Sequence, residues 1–166
     1  MNQIFGYIDK PFIKVITGIR RSGKSAILML LRDELLKKGI DEINIIYINF
    51  ESFEFSDLDQ ADKLYQFTKA KIQNKQRYYI LLDEIQEVKF WEKAVNSFLV
   101  DFNADVYITG SNSRLLSSEL ATYLAGRYVE IHLHTLSFSE YLLFKQIRTN
   151  EETSDLYREF GFFLRL

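Results

Sequence analysis

The chain has 166 residues, one proline, no cysteine, and 21 Lys and Arg against 23 Asp and Glu, a formal net charge of −2. That length suits one domain with a buried core. The near-neutral balance gives no support for a dedicated nucleic-acid binder, which usually carries a strongly basic face, although it leaves a local basic patch open. Without cysteine there is no disulfide, thiolate zinc site, iron–sulfur cluster or thiol nucleophile, which suits a reducing cytosol.

Met1–Lys10 is polar and mixed, unlike a secretory signal. The longest apolar stretch, Ala26–Leu31, is far short of the roughly 20 residues that cross a bilayer. With 14 Phe and 10 Tyr the chain is too apolar to stay disordered. A soluble, cytoplasmic protein with no membrane partner is the expectation.

Short β-rich runs alternate with helical patterns. Pro11 sets off a first strand at Phe12–Thr17. Ile27, Leu28, Leu31 and Leu35 then share one helical face, and Gly39 marks the end of that helix. Ile43–Phe50 is a second strand, and Leu58, Ala61, Tyr65, Thr68 and Ile72 recur at helical spacing. Tyr78–Leu82 is a third strand, nearly all apolar, as expected when both faces are buried. Trp91, Val95, Phe98 and Phe102 form the next helical stripe, and Asp105–Thr109 the fourth strand. A polar turn and a short helix around Leu115–Ala125 lead to a fifth strand, Tyr128–Leu133. There Val129, Ile131 and Leu133 share one face and Glu130, His132 and His134 the other, the pattern of an edge strand. The two histidines read as structural rather than as metal ligands. The alternation predicts an α/β fold with a mainly parallel sheet and helices on both sides.

The strongest chemical signal follows the first strand: Gly18-Ile19-Arg20-Arg21-Ser22-Gly23-Lys24-Ser25, the spacing G-x-x-x-x-G-K-[ST] of a phosphate-binding loop. Glycines let successive N–H groups turn toward one point, and the helix that follows aims its free N–H groups and positive dipole end at the same anion. Gly18 through Ala26 is the expected phosphate-binding segment. Lys24 is to reach the β- and γ-phosphates and the Ser25 hydroxyl to ligate magnesium, while Arg20 and Arg21 face solvent or a partner.

Tyr79-Ile80-Leu81-Leu82-Asp83-Glu84 delivers a carboxylate to the C-terminal edge of the sheet, where open α/β folds bind ligands. Asp83 can hold the magnesium ion there, and Glu84 can orient and deprotonate a water in line with the γ-phosphate. Strand four ends in Thr109-Gly110-Ser111-Asn112-Ser113. Ser111, ahead of Asn112, can hydrogen-bond the γ-phosphate or the attacking water, or the segment is an ordinary turn that caps the next helix. Arg127 either stabilises charge on the transferring phosphoryl group, in its own or a neighbouring subunit, or is a surface arginine paired with a carboxylate. Asn49 and Glu51 close strand two near the same edge.

The strings VITGIRRSGKS at 15–25, LLDEIQ at 81–86, ITGSNS at 108–113 and LAGRYVEIHLHTLSFSEY at 124–141 together resemble prokaryotic AAA-type P-loop ATPases. In that family the ATPase domain is followed by a C-terminal domain of unknown function, sometimes nuclease-like. The resemblance covers about residues 10–145. It implies a three-layer P-loop core with five strands in the order 5-1-4-3-2, and ATP with Mg2+ as the bound species. It also implies that Asp83 holds the metal, that Glu84 is the catalytic carboxylate, that Ser111 is the polar sensor, and that Arg127 is the family's Gly-Arg arginine.

Residues 1–146 are then the ATPase domain, and 147–166, ending in FGFFLRL, begin a C-terminal region that this chain cuts short. The expected function is Mg-dependent ATP hydrolysis that drives or gates an attached effector domain, with self-association or that domain as partner and nucleic acid left open. One rival is an ATP-holding switch with negligible turnover. Another is a P-loop small-molecule kinase, which would need an arginine-bearing lid that no obvious insert supplies. A GTPase is disfavoured because Asn74-Lys75 is followed by Gln76-Arg77 and not by the aspartate of a guanine-reading motif.

Overall fold

The computed structural model describes residues 2–19, 22–111, 124 and 126–134. In chain order the elements are α1 (Asn2–Gly6), β1 (Ile13–Gly18), α2 (Lys24–Lys37), β2 (Ile45–Asn49), α3 (Ala61–Lys71), β3 (Tyr78–Asp83), α4 (Trp91–Asp101), β4 (Ala104–Ser111) and β5 (Tyr128–Leu133). The strands form one parallel sheet in the order β2-β3-β4-β1-β5. This is the order the family resemblance implied, read from the other edge.

That order decides where the helices lie. From β1 the chain crosses toward one edge of the sheet to reach β2, then returns through β3 and β4. Right-handed crossovers made in opposite directions place their helices on opposite faces. Accordingly, Leu28, Leu31 and Leu35 of α2 bury against Ile16, Tyr79, Leu81 and Tyr107 on one face. On the other face Leu64 of α3 and Trp91, Val95 and Phe98 of α4 bury against Val15, Ile48, Ile80, Leu82 and Ile108. Tyr65, Phe98 and Phe102 stack between α3 and α4 with ring centroids 5.5–6.2 Å apart. Each buried leucine of α2 is worth about 1.5–3 kcal/mol, so this helix is firmly seated and its N-terminus held in place.

Every residue of β1 and β3 is buried, as suits strands with neighbours on both sides and helices on both faces. β5 is an edge strand, and its Ile131 and Leu133 join the α2-side core. The second strand is shorter than expected. Asp41 accepts a hydrogen bond from the Ile43 N–H and starts a helical turn over Glu42–Asn44, which leaves Ile43 exposed. Leu58 and Ile72 flank α3 rather than belong to it, yet both pack on the same core. The polar N-terminal stretch contains α1, whose Ile4 is buried with α2. The helix expected around 115–125 lies almost wholly outside the described residues.

A polar cluster lies beneath α2 at the end of the sheet where the strands begin. Lys14 and Asp105 form a fully buried ion pair. The second carboxylate oxygen of Asp105 accepts from the Asp9 N–H at 2.8 Å and the Tyr107 hydroxyl at 3.1 Å. Lys14 also donates to the Lys10 carbonyl at 2.7 Å. Tyr79 and Arg77 reach the Asp9 carboxylate at 2.9 and 3.3 Å.

Candidate nucleotide site

Because all five strands are parallel, their last residues share the opposite edge. The register sets Asn49 beside Asp83, Leu82 beside Ile108, and Gly18 between Ser111 and Leu133. Gly18 is required by space. A Cβ there would sit 2.5 Å from Ser22 Oγ and 2.8 Å from the Leu133 carbonyl oxygen. Thr17, just before it, donates to Glu130 Oε1 at 2.7 Å and lies 3.1 Å from His132 Nδ1, which ties the root of the loop to β5.

Gly23 takes a left-handed backbone, φ 89°, and precedes α2 with no side chain capping the helix. The first helical bond runs from the Ile27 N–H to the Gly23 carbonyl. The N–H groups of Lys24, Ser25 and Ala26 therefore face outward for an external acceptor, with the helix dipole behind them. Ser22 Oγ is buried without a hydrogen-bond partner. Uncapped donors and an orphaned hydroxyl together suit a phosphate. Ser25 and Ala26 are exposed and Ile19 is half exposed, while Arg20 and Arg21 lie outside the described residues.

Lys24, the first residue of α2, is buried, and its Nζ lies 3.3 Å from both the Ile19 carbonyl oxygen and Glu84 Oε1. Asp83 is fully buried at the end of β3. Thr109 donates to its Oδ1 at 2.5 Å and Tyr47 to its Oδ2 at 3.2 Å. Burial, then the Asp83 charge and hydrogen bond, push the Tyr47 hydroxyl up to about 12, so it stays protonated as a donor. The Thr109 oxygen also accepts the Glu84 N–H at 3.0 Å. That bond helps hold Glu84 in a left-handed backbone, φ 57° and ψ 49°, a conformation that costs a non-glycine residue about 1–3 kcal/mol. Gln86 grips the other Glu84 oxygen at 2.6 Å.

The structure thus brings Gly18, Ser22, Gly23, Lys24, Asp83 and Glu84 together at one edge. Ser111 is beside Gly18 in register, and Asn112 lies outside the described residues. Asn49 is spent locally, accepting the Glu51 N–H at 2.9 Å. Arg127 is elsewhere. It precedes β5 at the edge where β1 begins, and its guanidinium donates to Asn96 of α4 at 3.0 Å. The length of β1, about 17 Å at 3.3 Å per residue, separates it from this chain's own phosphate loop, farther than the side chain extends.

Two residues of the site escaped the sequence reading, Thr109 and Tyr47. The available signal was a threonine and a tyrosine at inward positions of otherwise apolar strands. Only the sheet order shows that both flank Asp83.

A family model described as AAA domain matches residues 10–142. A protein of Haemophilus influenzae, named only as uncharacterized, is 48% identical over 162 residues, which is 96% of this chain and 40% of that protein. One from Methanocaldococcus jannaschii is 36% identical over 144 residues, 87% of this chain and 31% of that protein. The chain therefore spans two fifths or less of the length of these relatives. Among solved structures, a DNA polymerase III gamma subunit-related protein of Thermotoga maritima superposes with a TM-score of 0.58 at 15% identity, over 93% of this chain and 52% of that one. Cdc6p from Pyrobaculum aerophilum superposes with a TM-score of 0.57 at 11% identity, over 86% and 45%. At such identities these two likenesses speak for the fold alone. The family match runs from before β1 to beyond β5, and this chain belongs to the AAA-type P-loop ATPase family.

Proposed function

We propose that the domain binds ATP with magnesium at the loop between β1 and α2 and hydrolyses it, and that this cycle drives or gates the remainder of a longer protein. The observation that carries the reading is the convergence of a buried lysine, an uncapped helix start and two carboxylates at one sheet edge. Lys24 and the N–H groups of the α2 start would bind and orient the phosphates. The Ser25 hydroxyl and Asp83 would hold magnesium, which supplies charge neutralisation on the transferring phosphoryl group. Each Asp83 oxygen accepts one hydroxyl in the structure, which leaves lone pairs for a metal or its water shell.

Glu84 would take the proton of the attacking water as its oxygen bonds to the γ-phosphorus and the bond to the β–γ bridging oxygen breaks. Arg127, too distant from its own loop and bonded to Asn96, would act on a phosphate only in a neighbouring copy. The ATP-holding switch remains the second reading on one specific ground. Glu84 is tied to Lys24 and Gln86, so it must be released before it can accept a proton.

Binding is tested by melting with and without Mg·ATP. Lys24→Ala is expected to abolish the stabilisation, since the buried ammonium is what neutralises the phosphates. An undiminished melting shift in that variant would remove the loop from the site. Competition between ATP and GTP for a fluorescent analogue tests the choice of base.

A further inference from the structure

A groove along β2 shares only Tyr47 with this chemistry. It has a volume of about 660 Å³ and is lined by Ile45, Ile46 and Tyr47, three consecutive residues of one strand. Neighbouring strand side chains point to opposite faces, so a hollow that touches all three runs along the backbone edge and not over either face. β2 ends the sheet and pairs only with β3. In a parallel ladder alternate residues direct both N–H and C=O to the neighbour. Phe50 donates to the Asp83 carbonyl, so Ile46 and Ile48 also face β3 while Ile45 and Tyr47 present their backbone groups outward. The Ile45 N–H turns back to the Glu42 carbonyl, while among the described residues nothing pairs with the Ile45 carbonyl or with the N–H and carbonyl of Tyr47. The strand reads IIYIN, without the charges or proline that normally blunt an open edge.

The opposite wall is apolar. Phe55 and Leu58, from the segment after β2, and Phe67 of α3 line it, each partly buried. The lysine at the groove, Lys71, lies over the Phe67 ring at 5.4 Å. Three carboxylates border the groove: Glu42, Glu54 and Asp57. Glu42 is paired with Arg32, whereas the side-chain carboxylates of Glu54 and Asp57 make no hydrogen bond or salt bridge among the described residues, Asp57 feeling only the charge of Lys63. Lys71 is set against two carboxylates, Glu54 and Asp57, so the lining keeps a net negative charge.

We propose that this groove accepts an extended, cationic segment of a partner protein as an added strand. The segment's backbone pairs with the Ile45 carbonyl and with the N–H and carbonyl of Tyr47, its apolar side chains meet Phe55, Leu58 and Phe67, and a lysine or arginine lies by Glu54 and Asp57. Charge argues against a second copy of this chain as the occupant, because edge-to-edge pairing of two copies would bring a second pair of the same carboxylates to the interface.

The test uses the full chain without nucleotide, so its outcome is independent of the ATP reading. Labelled short peptides of alternating valine and lysine serve as the probe, with a valine–glutamate counterpart and a valine–lysine version N-methylated on alternate amides. The valine–lysine peptide is expected to bind and to slow hydrogen exchange at the Tyr47 amide. N-methylation of the peptide, or the double variant Glu54→Lys/Asp57→Lys, is each expected to weaken binding by about tenfold, and the glutamate peptide is expected not to bind. Equal binding of the methylated peptide would mean simple charge adhesion and would overturn the proposal. So would unchanged exchange at the Tyr47 amide, absence of any binding, or a concentration-dependent dimer of the chain that protects the same amide.

Discussion

Exchanging Glu84 for Gln is expected to slow magnesium-dependent phosphate release from ATP by about 10²–10⁴-fold, the range a positioned general base contributes. ATP binding should survive. The amide keeps the length of the side chain and can still meet Gln86, but it gives up the charge that now lies 3.3 Å from Lys24 Nζ. In the nucleotide-free protein that carboxylate competes with the phosphates for the lysine, so the variant should bind ATP at least as tightly as the wild type. Phosphate release and equilibrium binding measured side by side on the same preparations separate the two functional readings. A Gln variant that hydrolyses at the wild-type rate takes Glu84 out of the chemistry. A wild-type protein that binds ATP and releases no phosphate, even at its full natural length, leaves the switch reading in place.

The largest expected effect on stability belongs to the other end of the sheet. Asp105→Asn should lower the unfolding free energy by about 3–5 kcal/mol, because removing one partner of a buried ion pair strands the other charge. For a domain of this size that corresponds to a fall of about 6–20 °C in the melting temperature. Lys14 is fully buried, and burial already lowers its pKa from 10.5 even though Asp105 works to raise it. Without the aspartate charge, burial and the Arg77 charge are opposed only by the weaker pull of Asp9, and the pKa falls further. A lysine depressed in the folded state binds fewer protons there than in the unfolded chain, so stability rises with pH up to the unfolded value near 10.5. The deficit of the variant should therefore shrink as the pH is raised toward that value. Replacing both partners with apolar residues of similar volume should recover much of the loss. A deficit under about 1 kcal/mol, or one that does not change with pH, would show that the pair does not have the weight its burial assigns to it.

Much of the site was legible because its determinants are local. The turn at Gly18–Ser25 needs only a strand before it and a helix after it, and Asp83-Glu84 needs only the apolar run that precedes it. The neighbours of those residues are another matter. Thr109 is 26 residues from Asp83 and Tyr47 is 36 away, and their contacts exist only because β4 and β2 flank β3 on its two sides. Nothing in the periodicity of a parallel strand states which strand it will lie beside. The order came from the family resemblance, and the register from the structure. Arg127 shows the converse: a suggestive residue close in sequence to the start of an edge strand lies at the wrong end of the sheet for its own loop. The short helix α1 lacked any cap or long apolar stripe, and its place is set by the burial of Ile4 under α2.

The left-handed backbone of Glu84 puts folding and chemistry at odds over a single residue. Selection for stability alone would favour glycine there, or asparagine or aspartate, which tolerate that backbone better than longer side chains do. Glycine would erase the carboxylate, asparagine would neutralise it, and aspartate would withdraw it from Lys24 by one methylene. On the catalytic role proposed for Glu84, a glutamate kept at this position in a lineage would record what the reaction demands, and drift toward the three smaller residues would mark descendants that have kept the fold and given up turnover.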